Sequence, residues 1–231
     1  MTYRLYKARV NDAIAANEVL SKLRADSKQK LMAGATFKEV ERGTVIYHEE
    51  TPAVRFWLLL RGEVKRVTYS TKGVALMIDI VLPNQLFGAV LHPHNPLYPC
   101  TAVAMKAAEL LSFRRKDLMD DLEHNSPLQK MLLADTSQKL CQAIQMRGLW
   151  LEEARVRIAQ ALLHLHEKFG RVIPETRATV AELAGTSVET AIRITNRLAR
   201  RGVLATGRGQ IEILSPAGLR DCDEGGGGCI L

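Results

Sequence analysis

The chain has 231 residues, of which 47% are hydrophobic and 25% are charged, and its formal net charge is +7. This size and composition exclude a disordered chain and allow two modest domains with apolar cores. The sequence contains no apolar run long enough to span a membrane, and its first residues resemble no secretion signal. We therefore expect a cytoplasmic protein with no membrane partner. Its four cysteines form no C-x-x-C pair, which indicates reduced thiols.

The N-terminal part of the chain changes from a helical to a strand pattern near residue 35. Residues 11–33 place apolar side chains at helical spacing and predict a helix. Strands are predicted at residues 44–48, 56–60, 63–69 and 74–82, with turns at Gly43, Gly62, Gly73 and residues 83–84. Short strands with regular glycine turns predict an antiparallel, jelly-roll-like β-roll.

A long helix is predicted from Pro127 to Leu151, because proline suits the first turn of a helix. Leu133, Leu140, Ile144 and Leu151 follow spacings of seven, four and seven residues, which is the pattern of a coiled-coil seam. This spacing predicts that two copies of the chain pair through the helix. The alternative is a helix that packs only against its own domain.

Residues 178–201 predict two short helices joined by a turn at Gly185 and Thr186, an arrangement that binds duplex DNA. Thr179 is expected to cap the first helix in a capping box with Glu182, and Ser187 is expected to cap the second. The apolar face that the two helices share is predicted to contain Val180, Leu183, Ala184, Ala191, Ile194 and Leu198.

The polar face of the second helix carries the residue types that read bases. The Glu189 carboxylate can accept a hydrogen bond from cytosine, and the Arg193 guanidinium can donate two to guanine. An ion pair between these two residues on a solvated helix is the alternative, and such a pair would also orient Arg193. The segment from Ser187 to Arg220 has six arginines and two acidic residues, which favours contact with phosphates.

Two further strands are predicted in residues 203–214, around a turn at Gly207, Arg208 and Gly209. They form a wing with Arg208 at its tip, where a DNA phosphate can be reached. The predicted DNA-binding residues are therefore Thr179, Ser187, Val188, Glu189, Thr190, Arg193, Arg197 and Arg208. The tail beyond residue 220 contains four consecutive glycines between Cys222 and Cys229 and is expected to be flexible. We predict no metal site there.

In layout and motifs, residues 20–215 resemble the Crp/Fnr superfamily of bacterial transcription regulators. The resemblance rests on glycine turns that include Gly88, on a helix that contains residues 157–163, and on the recognition segment. That segment, from Val188 to Arg193, resembles the V-E-T-x-x-R motif of the Fnr branch. Fnr-type readers have a serine immediately before the arginine, where this chain has Ile192.

This resemblance implies an α+β fold: an N-terminal antiparallel β-roll, a long dimerisation helix and a C-terminal winged helix-turn-helix. The implied boundaries are 1–126 for an effector-sensing roll, 127–151 for the dimerisation helix, 152–220 for DNA binding and 221–231 for the tail. It also implies a homodimer that binds double-stranded DNA at a palindromic operator and contacts RNA polymerase. Glu189 and Arg193 would then read a TGA-containing half-site.

The resemblance does not identify the effector, which is an unknown small-molecule or redox signal. The cyclic-AMP branch uses a Gly-Glu pair for the ribose and an Arg-Ser pair for the phosphate, whereas this chain has Gly88-Ala89 and Cys100-Thr101. The missing carboxylate and guanidinium argue against cyclic AMP. No cysteine precedes Cys100, which argues against an Fnr-type iron–sulfur cluster.

Two histidines near Cys100 leave open a haem-based gas or redox sensor, and the alternative is a proline-stiffened loop with solvated histidines. Cys100 and Cys141 could form a thiol redox switch if they approach each other, and the alternative is that Cys100 is a buried, inert cysteine. The predicted effector-pocket residues are Gly88, Ala89, His92, His94, Cys100, Thr101 and Cys141.

Two other classes of protein compete with the interpretation as a regulator. An enzyme is not expected, because the sequence has no G-x-x-x-x-G-K-[ST], G-x-S-x-G or H-E-x-x-H motif. A ligand-binding module without DNA activity would leave the predicted reading helix unexplained.

Overall fold

The computed structural model describes residues 3–71, 73, 75–89, 96–149 and 151–221; at residues 3–9, 142, 145–147 and 149 only the backbone is described. The chain divides into two compact units. One comprises Met1–Thr68 and Ile78–Leu140, and the other comprises Tyr69–Met77 and Cys141–Leu231.

Three helices open the first unit: α1 (Tyr3–Ala16), α2 (Glu18–Ser21) and α3 (Ala25–Ala33). The helical pattern predicted over residues 11–33 is therefore confirmed, although it is divided among three helices. Asn17 has an extended backbone, and its side chain accepts hydrogen bonds from the amides of Val19 and Leu20 at 3.1 and 3.0 Å. An asparagine that caps a new helix in this way ends the preceding one.

Among the residues that the structure describes, eight strands follow: β1 (Thr36–Val40), β2 (Val45–Tyr47), β3 (Arg55–Arg61), β4 (Val64–Tyr69), β5 (Ala75–Val81), β6 (Leu86–Phe87), β7 (Thr101–Ala104) and β8 (Ala108–Arg114). They form two four-stranded sheets, with the orders β1-β8-β3-β6 and β2-β7-β4-β5. Antiparallel pairs join β8 to β1 and β3, β3 to β6, and β7 to β2 and β4. The predicted β-roll is thus confirmed, and the four predicted strands correspond to β2, β3, β4 and β5.

Strand β3 separates two apolar cores, because successive side chains of a strand point to opposite faces of its sheet. Phe56 and Leu58 pack against the helical core that includes Leu20 and Leu31. Trp57 and Leu59 face the interior of the roll. This double burial explains why residues 56–60 form an uninterrupted apolar run.

After the roll come α4 (Arg115–Leu122) and the long helix α5 (Ser126–Leu149). The helix predicted from Pro127 to Leu151 is confirmed within two residues at its C-terminal end. The predicted seam residues are strongly exposed in the single chain: Leu133 by 69%, Leu140 by 60%, Ile144 by 63%, and Leu151, in the turn after α5, by 92%. Nothing in this exposure supports the alternative of a helix that packs only within its own domain.

The second unit contains α6 (Ala154–Phe169), β9 (Val172–Ile173), α7 (Arg177–Ala184), α8 (Val188–Arg200), β10 (Leu204–Gly207), β11 (Gln210–Ile213) and α9 (Pro216–Arg220). Its three strands form a sheet in the order β10-β11-β9. The winged helix-turn-helix predicted from sequence is confirmed, and β9 adds a third strand that was not predicted. None of the helices in the described ranges has the length and apolarity needed to cross a membrane.

Candidate nucleic-acid interface

The first helix of the helix-turn-helix, α7, is capped by Thr176 and not by Thr179. The Thr176 hydroxyl accepts a hydrogen bond from the Thr179 amide at 3.3 Å. The predicted cap at Thr179 and its capping box with Glu182 are therefore wrong, because the helix and its cap begin three residues earlier. Thr179 is buried, and its hydroxyl donates to the Glu175 carboxylate at 2.8 Å.

The turn between the two helices depends on Gly185 and on a contact from α6. Gly185 has φ 55° and ψ 49°, a left-handed conformation that glycine adopts without strain. The Arg157 guanidinium donates from Nε to the Ala184 carbonyl at 2.9 Å, where a helix end leaves its carbonyls without helical partners. Sequence reasoning placed Arg157 on a helix but gave no sign that it holds this turn.

The second helix, α8, has one buried and one exposed face. Ser187 caps it as predicted, because its hydroxyl accepts from the Thr190 amide at 3.2 Å. The predicted apolar face is buried except for Ile194, which is half-buried. Thr195 is also fully buried, although it is polar; its hydroxyl donates to the Ala191 carbonyl at 2.7 Å, so burial leaves it satisfied.

The exposed face of α8 carries Glu189, Arg193, Asn196, Arg197 and Arg200. The pKa of Glu189 lies below its usual range, because its carboxylate accepts hydrogen bonds from its own backbone amide and from Ser187. Glu189 therefore remains an ionised acceptor at neutral pH. The ion pairs of the described residues do not include one between Glu189 and Arg193, so the ion-pair alternative has no support.

Two arginines hold the wing: one links strands of its sheet, and the other links it to the helix-turn-helix. Arg171 on one side of β9 contacts Glu212 at 2.9 Å, and Arg177 at the start of α7 donates to the Thr206 hydroxyl at 2.9 Å. Arg208 lies exposed between β10 and β11, beside Gly209 with φ 71°. The wing therefore presents a cation from a braced hairpin.

The predicted effector-pocket residues meet in the roll around Tyr47. A Cβ on Gly88 would lie 2.7 Å from Trp57 Cζ3 and 3.1 Å from Tyr47 Cε1, so only glycine fits at this position. Tyr47 also interacts with Cys100, and this interaction contributes to the pKa shift of each residue. Two of the predicted residues, Gly88 and Cys100, are thus both neighbours of Tyr47.

The space around Tyr47 is filled by aromatic rings. Its ring centroid lies 4.0 Å from that of Tyr98 and 4.9 Å from that of Trp57, and Phe87 stacks on Trp57 at 5.7 Å. Burial raises the pKa of Tyr47 and that of the Cys100 thiol, so both are neutral near pH 7. The described interior of this roll is consequently packed by its own side chains.

The described residues do not fit the groups that bind a cyclic nucleotide. Ala89 is exposed and carries no charge, and Thr101 is buried with its hydroxyl accepting from the Glu49 amide at 3.0 Å. Arg66, whose charge acts on Tyr47 and Cys100, donates to Asp79 at 3.1 Å. At the two positions that the cyclic-AMP branch uses, Ala89 therefore supplies no carboxylate for a ribose and Cys100 supplies no guanidinium for a phosphate.

His92, His94, Cys222 and Cys229 lie outside the described residues. Cys141 is an exposed free thiol on α5, and Cys100 is a buried free thiol. In the described ranges, no group of three or more His, Cys, Asp or Glu side chains is placed to hold a metal ion.

Comparison with known proteins identifies both parts of the chain. Residues 37–125 match the family described as "Cyclic nucleotide-binding domain", and residues 156–222 match the "Crp-like helix-turn-helix domain". The transcriptional regulator SdrP of Thermus thermophilus is 30% identical over 199 residues, which cover 80% of this chain and 93% of SdrP. The chain belongs to the Crp/Fnr family of transcription regulators.

Other members of the Crp/Fnr family agree with this assignment. The cyclic AMP receptor protein of Thermus thermophilus is 29% identical over 182 residues, covering 78% of this chain and 84% of that protein. In fold, the chain resembles FixK2 from Bradyrhizobium japonicum, with a TM-score of 0.74, 22% identity, and coverage of 83% of this chain and 98% of FixK2. Membership of this helix-turn-helix family implies DNA binding and dimerisation.

Proposed function

We propose that the protein reads a palindromic duplex operator as a homodimer, with α8 of each subunit in the major groove. The observation that carries this proposal is the exposed pair Glu189 and Arg193 on the capped recognition helix, with an ionised carboxylate and no ion pair between them. A carboxylate and a guanidinium one helical turn apart match the acceptor and donor patterns of base edges. A half-site of the TGA type follows from the likeness of residues 188–193 to the Fnr motif.

The proposed DNA contacts divide into two groups. Base reading is assigned to Val188, Glu189 and Arg193, which lie in the first two turns of α8, the part of a recognition helix that meets base edges. Phosphate contact is assigned to Ser187, Thr190, Arg197 and Arg208. Thr179 is left out, because it is buried and its hydroxyl is bonded to Glu175.

The proposed dimer forms through α5. Leu133, Leu140 and Ile144 expose more than half of their surface on one helix, and burying them against a second copy stabilises the pair. Leu151 continues the same spacing in the following turn. A two-fold dimer matches a palindromic operator whose half-sites lie about one helical turn apart.

The roll is proposed to sense an effector other than cyclic AMP or an Fnr-type cluster. The packed ring cluster and the residues Ala89 and Cys100 support the first exclusion, and the absence of cysteine before Cys100 supports the second. No observation on the described residues favours haem. The protein is further proposed to act without catalysis, to contact RNA polymerase, and to work in the cytoplasm, where its DNA target lies.

The test compares Arg193→Ala with Arg200→Ala in duplex binding at one salt concentration. The probe is the palindrome that the unmodified protein selects from a random duplex pool. We expect Arg193→Ala to weaken binding roughly 100-fold and to lose discrimination at one base pair per half-site. Arg200→Ala, an equal loss of charge on the last turn of the same helix, should weaken binding less and keep the sequence preference.

Equal sequence preference in wild type and Arg193→Ala would contradict base reading by Arg193. Failure to select any duplex would contradict the proposal as a whole. Circular dichroism melting of each variant separates loss of folding from loss of reading.

A further inference from the structure

Two large apolar side chains are exposed on the otherwise polar surface of α8. Val188 is 43% exposed and Ile192 is 37% exposed, while the other exposed positions of this helix are charged or amide-bearing. The buried face of α8 is already complete with Ala191, Thr195 and Leu198. The core beneath α8 is therefore complete without Ile192, which stays at the surface.

Ile192 lies among the proposed base-reading residues. It follows Glu189 by three residues and Val188 by four, and residues at these spacings are neighbours on a helix surface. It also directly precedes Arg193 and lies in the second turn of α8. When the reading face meets a duplex, this side chain therefore meets it as well.

The chemistry of isoleucine limits what it can contact there. Its side chain neither donates nor accepts a hydrogen bond, so the hydrogen-bonding edges of bases offer it no partner. Thymine alone among the four bases presents a methyl group in the major groove. The β-branched side chain also has essentially one χ1 rotamer in a helix, so little rotamer entropy is lost on contact.

We propose that Ile192 packs against the 5-methyl group of a thymine next to the base pair that Glu189 reads. The surrounding arginines favour DNA as the occupant of this surface over an apolar protein partner. The inference rests on the proposed function, because it requires α8 to enter the major groove. It adds to that function a base that is read through its methyl group instead of through a hydrogen bond.

The experiment removes that methyl group alone. In the selected palindrome, each thymine of the half-site is replaced in turn by deoxyuridine, which keeps the base pair and lacks only the 5-methyl group. Binding is measured by fluorescence anisotropy at fixed salt. The thymine that Ile192 contacts should be sensitive, with about a fourfold loss per half-site, the factor expected for one buried methyl-sized group, and about fifteenfold for both half-sites.

The same duplexes are then measured with three variants. Ile192→Ala should bind the thymine duplex more weakly and show no further loss with deoxyuridine, because the methyl group has lost its partner. Ile192→Val should keep most of the methyl dependence. Val172→Ala, which shortens an apolar side chain that is 47% exposed in the same unit, should show the wild-type dependence on the methyl group.

The sensitive thymine should lie within one base pair of the position where Glu189→Ala loses discrimination. A methyl dependence that is equal in wild type and Ile192→Ala at every thymine overturns the inference, as does a complete lack of methyl dependence. If Arg193→Ala still loses discrimination in that case, the proposed function stands without this contact. If wild type selects no duplex, the proposed function fails and the inference fails with it.

Discussion

The recognition helix and the interior of the roll differ in what surrounds their candidate functional side chains. On α8, Glu189 and Arg193 are exposed, and the helix core beneath them is complete. In the roll, Tyr47 and Cys100 contact each other, and three more aromatic rings fill the space around Tyr47. One surface is open to a ligand, and the other is occupied by the protein's own side chains.

Because of this difference, DNA reading by α8 and ligand binding by the roll can be tested separately, although both are expected of a member of this family. A reading surface that is already formed needs no effector to build it, so we expect an effector to act on how the two copies of that surface are presented to DNA. In the roll, by contrast, a ligand that enters among the packed rings must replace contacts between the aromatic side chains.

The largest effect is expected from charge in the proposed dimer seam. Leu140→Lys places like charges opposite each other in a paired α5, so the homodimer should dissociate. A monomer engages one half-site, and operator affinity should fall roughly 1,000-fold because the second binding event is no longer intramolecular. Light scattering measures the mass of the protein, and fluorescence anisotropy measures its affinity for the operator. Lys139→Ala on the same helix is the control. A dimeric Leu140→Lys variant would contradict the assigned seam.

The second prediction contrasts stability at the two sites. Trp57→Ala removes a ring that is 4% exposed within the aromatic cluster and should lower the free energy of unfolding of the first unit by about 4 kcal/mol. Glu189→Ala removes an exposed side chain and should change the free energy of unfolding of the second unit by less than about 1 kcal/mol. Urea denaturation followed by circular dichroism measures both. If Trp57→Ala were neutral, the roll would not be packed as described.

Sequence patterns predicted the second unit more completely than the first, for physical reasons. Ser187, Gly185 and the residues of α8 act over one or two helical turns, so their roles follow from local spacing. Strands β7 and β8 were missed because residues 99–115 contain no glycine to mark a turn. The contact of Gly88 with Trp57 and Tyr47 joins three separate parts of the chain, and no local pattern reveals it.

The misplaced cap shows the limit of local patterns within α7 as well. Thr179 follows Thr176 by three positions, and each of the two precedes a segment that is consistent with a helix. What decides between them is the buried hydrogen bond from Thr179 to Glu175, which lies outside the capping pattern. Arg157 was overlooked as the residue that holds the turn because its target is a backbone carbonyl 27 residues away in sequence.

The third prediction concerns thiol reactivity in the two environments. The thiolate is the reactive form of cysteine, and burial raises the pKa of Cys100, so at a given pH less of it is ionised. In a Cys222→Ser, Cys229→Ser background, iodoacetamide should modify the exposed Cys141 roughly tenfold faster than Cys100 at neutral pH. Peptide mass spectrometry gives both rates, and the Cys100 rate should increase with pH. Equal rates at neutral pH would show that the interior of the roll is accessible.

The smallest effect is expected from cyclic AMP. A ligand at about 100 times its Kd stabilises the folded state by roughly 2.7 kcal/mol, which raises the melting temperature by several degrees. In this roll aromatic rings pack around Tyr47, and Ala89 and Cys100 offer the nucleotide no charged partner. We expect about 1 mM cyclic AMP to shift the melting temperature by less than about 1 °C, whereas the selected operator duplex should raise it clearly. A shift of several degrees with cyclic AMP would mean that the ring cluster opens for a ligand, and the contrast between an open reading surface and a closed roll would no longer hold.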